Sequence, residues 1–286
     1  MTVLVTGASG FVGRHVIKFL SQFDVFIIAT TTNIGKLEKF QWPINVQYVE
    51  YNLRSPLDQL IDQIGVPDAL IHLAWQGLPN YKQQFHELEE LPFQQQFLKQ
   101  MIALGCCNIT VTGTCMEYGM QEGCLTEEME VFPQTSYAKA KNSLRCYLED
   151  LQKDYEFSLK WLRLFYMYGE GQNPTSIIPA LQRALDEGQP QFNMSLGDQE
   201  RDFLHIDHIA EYICLASLQT KIQGIINISS GKPITVLSLV QHYLEQRKQN
   251  ISLNLGFYPK PDYEPQSFWG NNSKLKKIIH ESNRRV

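Results

Sequence analysis

Tyr137 and Lys141 stand four residues apart, in Tyr137-Ala-Lys-Ala-Lys141, near the start of a helix expected over Ser136–Asp154. That spacing puts both side chains on one helix face, one turn apart, so both reach a common point. A free tyrosine titrates near 10 and is a poor acid–base group at neutral pH. An ammonium beside it favours the phenolate and lets the phenol exchange a proton with a substrate oxygen. Composition alone gives a Tyr-x-x-x-Lys pair about once in such a chain, so the pair needs support from its surroundings.

The first support lies at the N-terminus. Thr6-Gly7-Ala8-Ser9-Gly10-Phe11-Val12-Gly13 sets three glycines at intervals of three between a strand and a helix. The first glycine permits a tight turn, the second a close approach of backbone to a pyrophosphate, and the third close packing of helix on strand. The helix N-terminus then offers N–H groups and its dipole to the phosphates. A nicotinamide dinucleotide is the expected ligand, held by Gly7, Ser9, Gly10, Phe11, Val12 and Gly13. Where an acidic residue after the second strand would bind a ribose 2′-hydroxyl, or an arginine a 2′-phosphate, this chain has Thr30-Thr31-Thr32-Asn33. Hydroxyls of Thr31 and Thr32 with Lys36 nearby favour NADP(H) over NAD(H). Asn52, Leu53, Leu73 and Ala74 complete the cofactor candidates, with Tyr137 and Lys141 at the reactive end.

Short apolar runs that alternate with amphipathic stretches must position these groups. Strands are expected at Val3–Val5, Val25–Ala29, Val46–Glu50, Ala69–Ala74, Ile109–Val111, Leu159–Leu164 and Gly224–Ile228. Helices are expected over Val12–Ser21, Phe85–Leu104 and Ile177–Gly188, besides the one that carries Tyr137. The alternation implies an α/β fold with a doubly wound parallel (Rossmann) sheet. From Tyr168 the texture changes: Gly, Pro and Asn cluster at Gly169–Pro174, and Pro259–Pro265 is a proline-rich loop. The expected division is a dinucleotide-binding domain over residues 1–165, to which 201–231 returns. A smaller, irregular substrate-binding domain takes 166–200 and 232–286.

A third catalytic group is expected at the end of the fifth strand, in Val111-Thr-Gly-Thr-Cys-Met-Glu-Tyr-Gly119. With Thr6–Gly13, His72-Leu-Ala74, Thr114–Gly119, Tyr137/Lys141, Arg163–Gly169 and Arg201-Asp-Phe203 in order, nearly the whole chain resembles the extended short-chain dehydrogenases. That family contains NAD(P)-dependent nucleotide-sugar epimerases, dehydratases and reductases. The resemblance makes Thr114 the hydroxyl that bonds the substrate carbonyl oxygen. It gives Lys141 the tasks of holding the nicotinamide ribose and lowering the tyrosine pKa, and Arg201 that of pairing with a substrate diphosphate. Tyr166 stands where the family has Asn, and replaces a polar contact with a ring. Trp75, Cys115, Met116 and Trp269 are further substrate-binding candidates.

The positions after Thr114 select among the family's reactions. Asp-Glu there resembles the 4,6-dehydratases; Cys115 and Met116 stand here, and Met cannot accept a proton. The 3,5-epimerase-reductases carry a catalytic cysteine at the Met116 position. What the resemblance leaves is net reduction of a nucleoside-diphosphate 4-keto-6-deoxyhexose, as in surface-polysaccharide sugar biosynthesis. The alternatives are 4-epimerisation with retained NAD, or a non-catalytic NADP(H)-sensing protein. His72 reads as a satisfied core histidine and Asp207 as a helix N-cap or a structural residue. The helices at Phe85–Leu104 and Ser136–Asp154 resemble the family's dimer interface, so a homodimer is expected.

Composition bounds the rest. The 286 residues, 43% hydrophobic, suffice for a sizeable core. A net charge of -5 gives no general attraction for nucleic acid or anionic membrane. No apolar run reaches the roughly 18 residues of a membrane span. Met1–Gly7 reads as a strand entering a turn and not as a signal peptide. The six cysteines lack metal-ligand spacing, so no metal is expected, and reduced thiols in the cytoplasm are the expected state.

Overall fold

The computed structural model describes residues 1–36, 42–260 and 262–282. Of the expected proline-rich loop, Pro261 lies outside the described residues. The strands are β1 (Thr2–Thr6), β2 (Phe26–Thr31), β3 (Val46–Glu50), β4 (Ala69–His72), β5 (Asn108–Thr114), β6 (Gly123–Leu125), β7 (Ser158–Leu164), β8 (Tyr166–Tyr168), β9 (Gln191–Asn193), β10 (Glu200–His205), β11 (Gly224–Ile228), β12 (Pro233–Thr235), β13 (Ser252–Asn254) and β14 (Phe268–Gly270). The helices are α1 (Phe11–Leu20), α2 (Asp58–Ile64), α3 (Leu91–Ala103), α4 (Ser136–Leu151), α5 (Ile177–Asp186), α6 (Ile206–Ser217), α7 (Val236–Arg247) and α8 (Ser273–Ser282).

Seven strands form one parallel sheet in the order β11-β7-β5-β4-β1-β2-β3. The expected Rossmann architecture is the observed one. Val3, Leu4 and Val5 of β1 are fully buried, as a strand covered on both faces requires. Val3 and Val5 join a core with Val16 and Ile17 of α1 and Ile209 and Ile213 of α6. Leu4 joins the opposite core with Phe97 of α3 and Leu144 of α4. The strand order reverses at β1, with β2 on one side and β4 on the other, and ligands of such sheets bind in the crevice beyond that point. Thr6 and His72 end the two strands there.

Several element boundaries differ from those expected. The run expected as one helix from Phe85 opens with a π-helical turn, His86–Glu90, before α3. That turn brings His86 and Glu90 inward, where both are buried. β4 stops at His72 instead of Ala74 because Leu73 and Ala74 turn into the crevice. α6 is capped by His205, whose ring accepts from the Asp207 N–H. Of the two roles expected for Asp207, cap or structural residue, the second fits: it pairs with His15 on α1 at 3.1 Å.

The second half holds more strand than its texture suggests. β8, β10 and β12 form a small sheet, β9 pairs with β13, and β6 with β14. A separate core joins Leu181 of α5, Phe192 of β9 and Val240 of α7. No described helix is long and apolar enough to cross a membrane.

Candidate active site

Gly7 takes a left-handed φ of 69°, which glycine alone adopts without strain. A Cβ on Gly13 would lie 2.2 Å from the Gly7 carbonyl oxygen, and one on Gly7 2.8 Å from the Ala74 nitrogen. Both glycines are therefore required by close backbone approach. Gly10 ends the turn in extended conformation with no side chain capping α1, and the first turn of α1 carries no acidic residue. The free N–H groups and positive end of that helix thus remain available to phosphate. Gly10, Phe11, Val12 and Gly13 line a cavity of about 660 Å³. A second cavity of about 220 Å³ adjoins it at Gly7, Gly10 and Leu73. Ser9, Thr31, Thr32, Asn52, Leu53 and Ala74 line that smaller space. An open helix end between two joined cavities, floored by glycines that admit no side chain, fits a dinucleotide.

A buried polar chain braces this cradle. His72 is fully buried and bonds Thr6 Oγ1 at 2.9 Å through Nδ1 and Gln94 Oε1 at 2.5 Å through Nε2. The Gln94 amide nitrogen donates to Ala74 O and Glu90 Oε1, so its oxygen must accept, and His72 carries its proton on Nε2. Burial lowers the His72 pKa to about 3, so the ring is neutral. Thr6 Oγ1 in turn accepts from the Leu73 and Ala74 N–H groups. The core role expected of His72 is thereby also a supporting one, since this chain links α3 to the phosphate turn.

The catalytic candidates meet in the larger cavity, which Thr114, Tyr137 and Lys141 all line. The Thr135 hydroxyl caps α4 by accepting from Ala138 N–H, and Tyr137 N–H donates to Tyr81 O at 3.0 Å. The Tyr137 ring is enclosed by His86, Tyr81 and Trp75, with centroids 5.4, 5.6 and 5.9 Å away. Lys141 is 2% exposed. Its Nζ donates to Thr112 O at 2.8 Å and lies 4.0 Å over the Trp75 ring.

This placement corrects the expected electrostatics. The Lys141 ammonium was to lower the Tyr137 pKa, but Nζ is 6.0 Å from that ring's centroid and bonded elsewhere. Burial dominates: it pushes the phenol well above its ordinary value, with Tyr81, Glu117 and Cys115 adding to the rise. Burial also lowers Lys141 to about 7, against the pull of Glu117 and Glu90. Tyr137 is thus a protonated acid in the ligand-free protein.

The lysine shift makes a pH prediction. Between pH 7 and 10.5 the unfolded chain holds the Lys141 proton and the folded one does not, so stability rises with pH in that window. Wild-type protein, compared with Lys141→Met between pH 7 and 9.5, is expected to gain stability by up to about 1.4 kcal/mol per pH unit. Denaturant titrations across that range measure it; a pH-independent difference would contradict a buried, neutral Lys141.

Thr114 is fixed by a carboxylate that the sequence reading passed over. Glu117 is fully buried. Its Oε1 accepts from Thr114 N–H at 2.9 Å, and Thr114 Oγ1 accepts from Met116 N–H. Glu117 also accepts from Trp161 Nε1 and, at 2.8 Å, from Arg163 Nε. A Cβ on Gly113 would meet Trp161 Nε1 at 2.2 Å. The signal was present as the capping box Thr114-Cys-Met-Glu117.

Trp75, Cys115, Met116 and Tyr166 line the same cavity as the triad. Arg201 and Trp269 do not, and both expectations change. Arg201 is 3% exposed; its Nη1 donates to Glu200 O and Gln266 O, and its Nη2 to Glu264 Oε2 at 3.1 Å. Both terminal nitrogens of the guanidinium expected to meet a diphosphate are already bonded, its Nε is buried without a partner, and Glu264, not Arg201, lines the cavity. On β14 strand alternation sends Phe268, not Trp269, into the core beside Phe165 and Tyr166. Burial pushes the Cys115 thiol up, so it is no nucleophile or base at neutral pH. No group of three or more His, Cys, Asp or Glu suited to a metal occurs among the described residues.

Residues 3–229 match the model of the NAD dependent epimerase/dehydratase family. The dTDP-6-deoxy-L-talose 4-dehydrogenase (NAD(+)) of Aggregatibacter actinomycetemcomitans is 30% identical, over 94% of this chain and 99% of that one. A UDP-glucuronic acid 4-epimerase of Bacillus cereus, solved with UDP-glucuronic acid and NAD, superposes with a TM-score of 0.84 at 21% identity, over 98% of this chain and 93% of that one. A UDP-N-acetylglucosamine 4-epimerase of Methanobrevibacter ruminantium M1 gives 0.84 at 21% identity, over 97% and 91%.

Proposed function

Because the chain belongs to the NAD dependent epimerase/dehydratase family, we propose that it reduces the 4-keto group of a nucleoside-diphosphate 6-deoxyhexose. One observation carries the reading: beside Thr114, Tyr137 and Lys141, the cavity wall holds Cys115 and Met116, neither of them a working acid or base. Neither residue that follows Thr114 can perform the second deprotonation that dehydration needs, which leaves Thr114, Tyr137 and Lys141 to support exchange at one carbon. The activity for which the Aggregatibacter relative is named, a 4-dehydrogenase of a 6-deoxyhexose, is the same redox change viewed from the alcohol.

The chemistry that the nicotinamide dinucleotide supplies when bound is hydride exchange with C4. Gly7, Gly10 and the open end of α1 would hold its pyrophosphate, and Lys141 its nicotinamide ribose. Thr114 Oγ1 donates to the C4 oxygen and aligns it. Tyr137, kept protonated by burial, delivers its proton to that oxygen as the alcohol forms. The ring cage of Trp75, Tyr81 and His86 excludes water from the phenol.

We take the cofactor as NAD(H). NADP(H), expected from the threonines after β2, finds no support: Thr31 Oγ1 is already bonded to Ser9 Oγ at 2.8 Å. Arg54, the one cation lining the smaller cavity among the described residues, leans on Glu90 and Phe93. A 4-epimerase would use the same triad. The two are separated by following NADH absorbance with dTDP-4-keto-6-deoxyglucose and by assaying denatured protein for retained dinucleotide. A reductase consumes NADH mole for mole and is purified with little cofactor. Retained NAD without net consumption would overturn the reading in favour of epimerisation.

A further inference from the structure

We propose that Glu264 is a specificity-determining residue that restricts the cavity to nucleotide sugars whose hexose is uncharged. The inference rests on the nucleotide-sugar reading above and goes beyond it by assigning a residue and excluding a substrate class, the uronic acids.

Among the described residues that line the larger cavity, Lys141 and Glu264 are the only ones with a formally charged side chain. Lys141 belongs to the catalytic end, with Nζ committed to Thr112 O and the Trp75 face. Beside Glu264 both terminal nitrogens of Arg201 are committed, to Glu264 Oε2 and to the carbonyls of Glu200 and Gln266, while its Nε is buried without a partner. The guanidinium is stacked against the Phe268 ring, 4.8 Å from its centroid. The wall thus presents a carboxylate to the ligand and keeps its cation paired.

Beside it, Tyr166 lines the same cavity, and its Oη is buried next to Glu264 with no well-formed hydrogen bond of its own. A hydroxyl donor and a carboxylate acceptor on one wall suit a sugar hydroxyl, which accepts from the first and donates to the second. A sugar carboxylate only accepts. It would satisfy Tyr166 but set a second negative charge against Glu264 in a confined space, where the one neighbouring cation, Arg201, is already paired with Glu264. The diphosphate is common to every nucleotide sugar, so it cancels between the two classes. The selection is made by repulsion of the wrong ligand and not by added attraction for the right one.

The test is calorimetric titration of the NAD-saturated full chain with dTDP-glucose and UDP-glucose, each against the corresponding glucuronate. The expected result is that the wild-type protein binds the neutral sugar at least about tenfold more tightly, a gap of about 1.4 kcal/mol. Glu264→Gln, in which the amide oxygen still accepts from Arg201, should narrow the ratio to about threefold or less. Glu264→Asp, which keeps the charge, and Asp262→Asn, a nearby exposed carboxylate outside the cavity, should both keep the tenfold preference. A wild-type protein that binds both classes within about threefold, or a Glu264→Gln variant that still discriminates tenfold, overturns the proposal. The wild-type ratio stands even if the glutamine variant does not fold. If none of the four ligands binds while NAD does, the nucleotide-sugar reading itself is overturned, and this inference with it.

Discussion

Tyr137→Phe is expected to lower kcat by about 10²- to 10⁴-fold, the usual worth of a positioned general acid. The reason is that the residues next to Thr114 and Tyr137 in the triad offer no replacement proton donor. The Cys115 thiol is pushed up by burial, Met116 has no proton to give, and Lys141 Nζ is bonded to Thr112 O. NAD affinity should change by less than about threefold, since the cradle at Gly7–Gly13 and its His72 brace are untouched. The Tyr137 backbone N–H to Tyr81 O bond also survives the substitution. Steady-state rates with dTDP-4-keto-6-deoxyglucose and NADH, set beside fluorescence titration of NADH, separate the two effects. Comparable turnover in the variant would remove Tyr137 from the mechanism.

Glu117→Leu is expected to be the most destabilising single change in the catalytic region. It leaves the Arg163 guanidinium buried without its carboxylate, at a cost of about 3–5 kcal/mol. It also releases Thr114 N–H and Trp161 Nε1, both of which Glu117 now accepts from. Glu117→Gln keeps an acceptor oxygen for Thr114 and should lose less stability. Because Glu117 acts through Thr114, the glutamine variant should lose kcat with KM little altered, whereas simple loosening of the fold would lower the active fraction alone. Urea denaturation and active-site titration together distinguish these outcomes.

Much of this site was legible from the sequence because local rules force it. Only glycine fits where Gly13 meets the Gly7 carbonyl at 2.2 Å, so the phosphate turn shows itself through three fixed positions. A spacing of four places Tyr137 and Lys141 on one face of any helix. What stayed hidden depends on tertiary packing. A glutamate in sequence reads as solvated, and only β7, which brings Trp161 and Arg163 alongside β5, makes Glu117 a buried anchor. Arg201 reads as a ready phosphate ligand until a segment 63 residues later supplies Glu264. Trp269 and Phe268 exchange faces on a one-residue choice of register, which three-residue strands such as β14 do not declare in advance. The lysine effect on Tyr137 failed for a similar reason: the sequence gives the neighbour, and the fold decides what that neighbour is bonded to.

The central claim is that one proton and one hydride are exchanged at a single sugar carbon, with no second acid–base step. The most direct test is a reaction of dTDP-4-keto-6-deoxyglucose with NADH deuterated at the transferred position, run in ordinary water, and its mirror with unlabelled NADH in D₂O. Product analysis by NMR should find one deuterium on C4 in the first reaction. In the second it should find no carbon-bound deuterium beyond that of an enzyme-free control. Enzyme-dependent incorporation of solvent deuterium at C3 or C5, or no transfer to C4 from labelled NADH, would contradict the account.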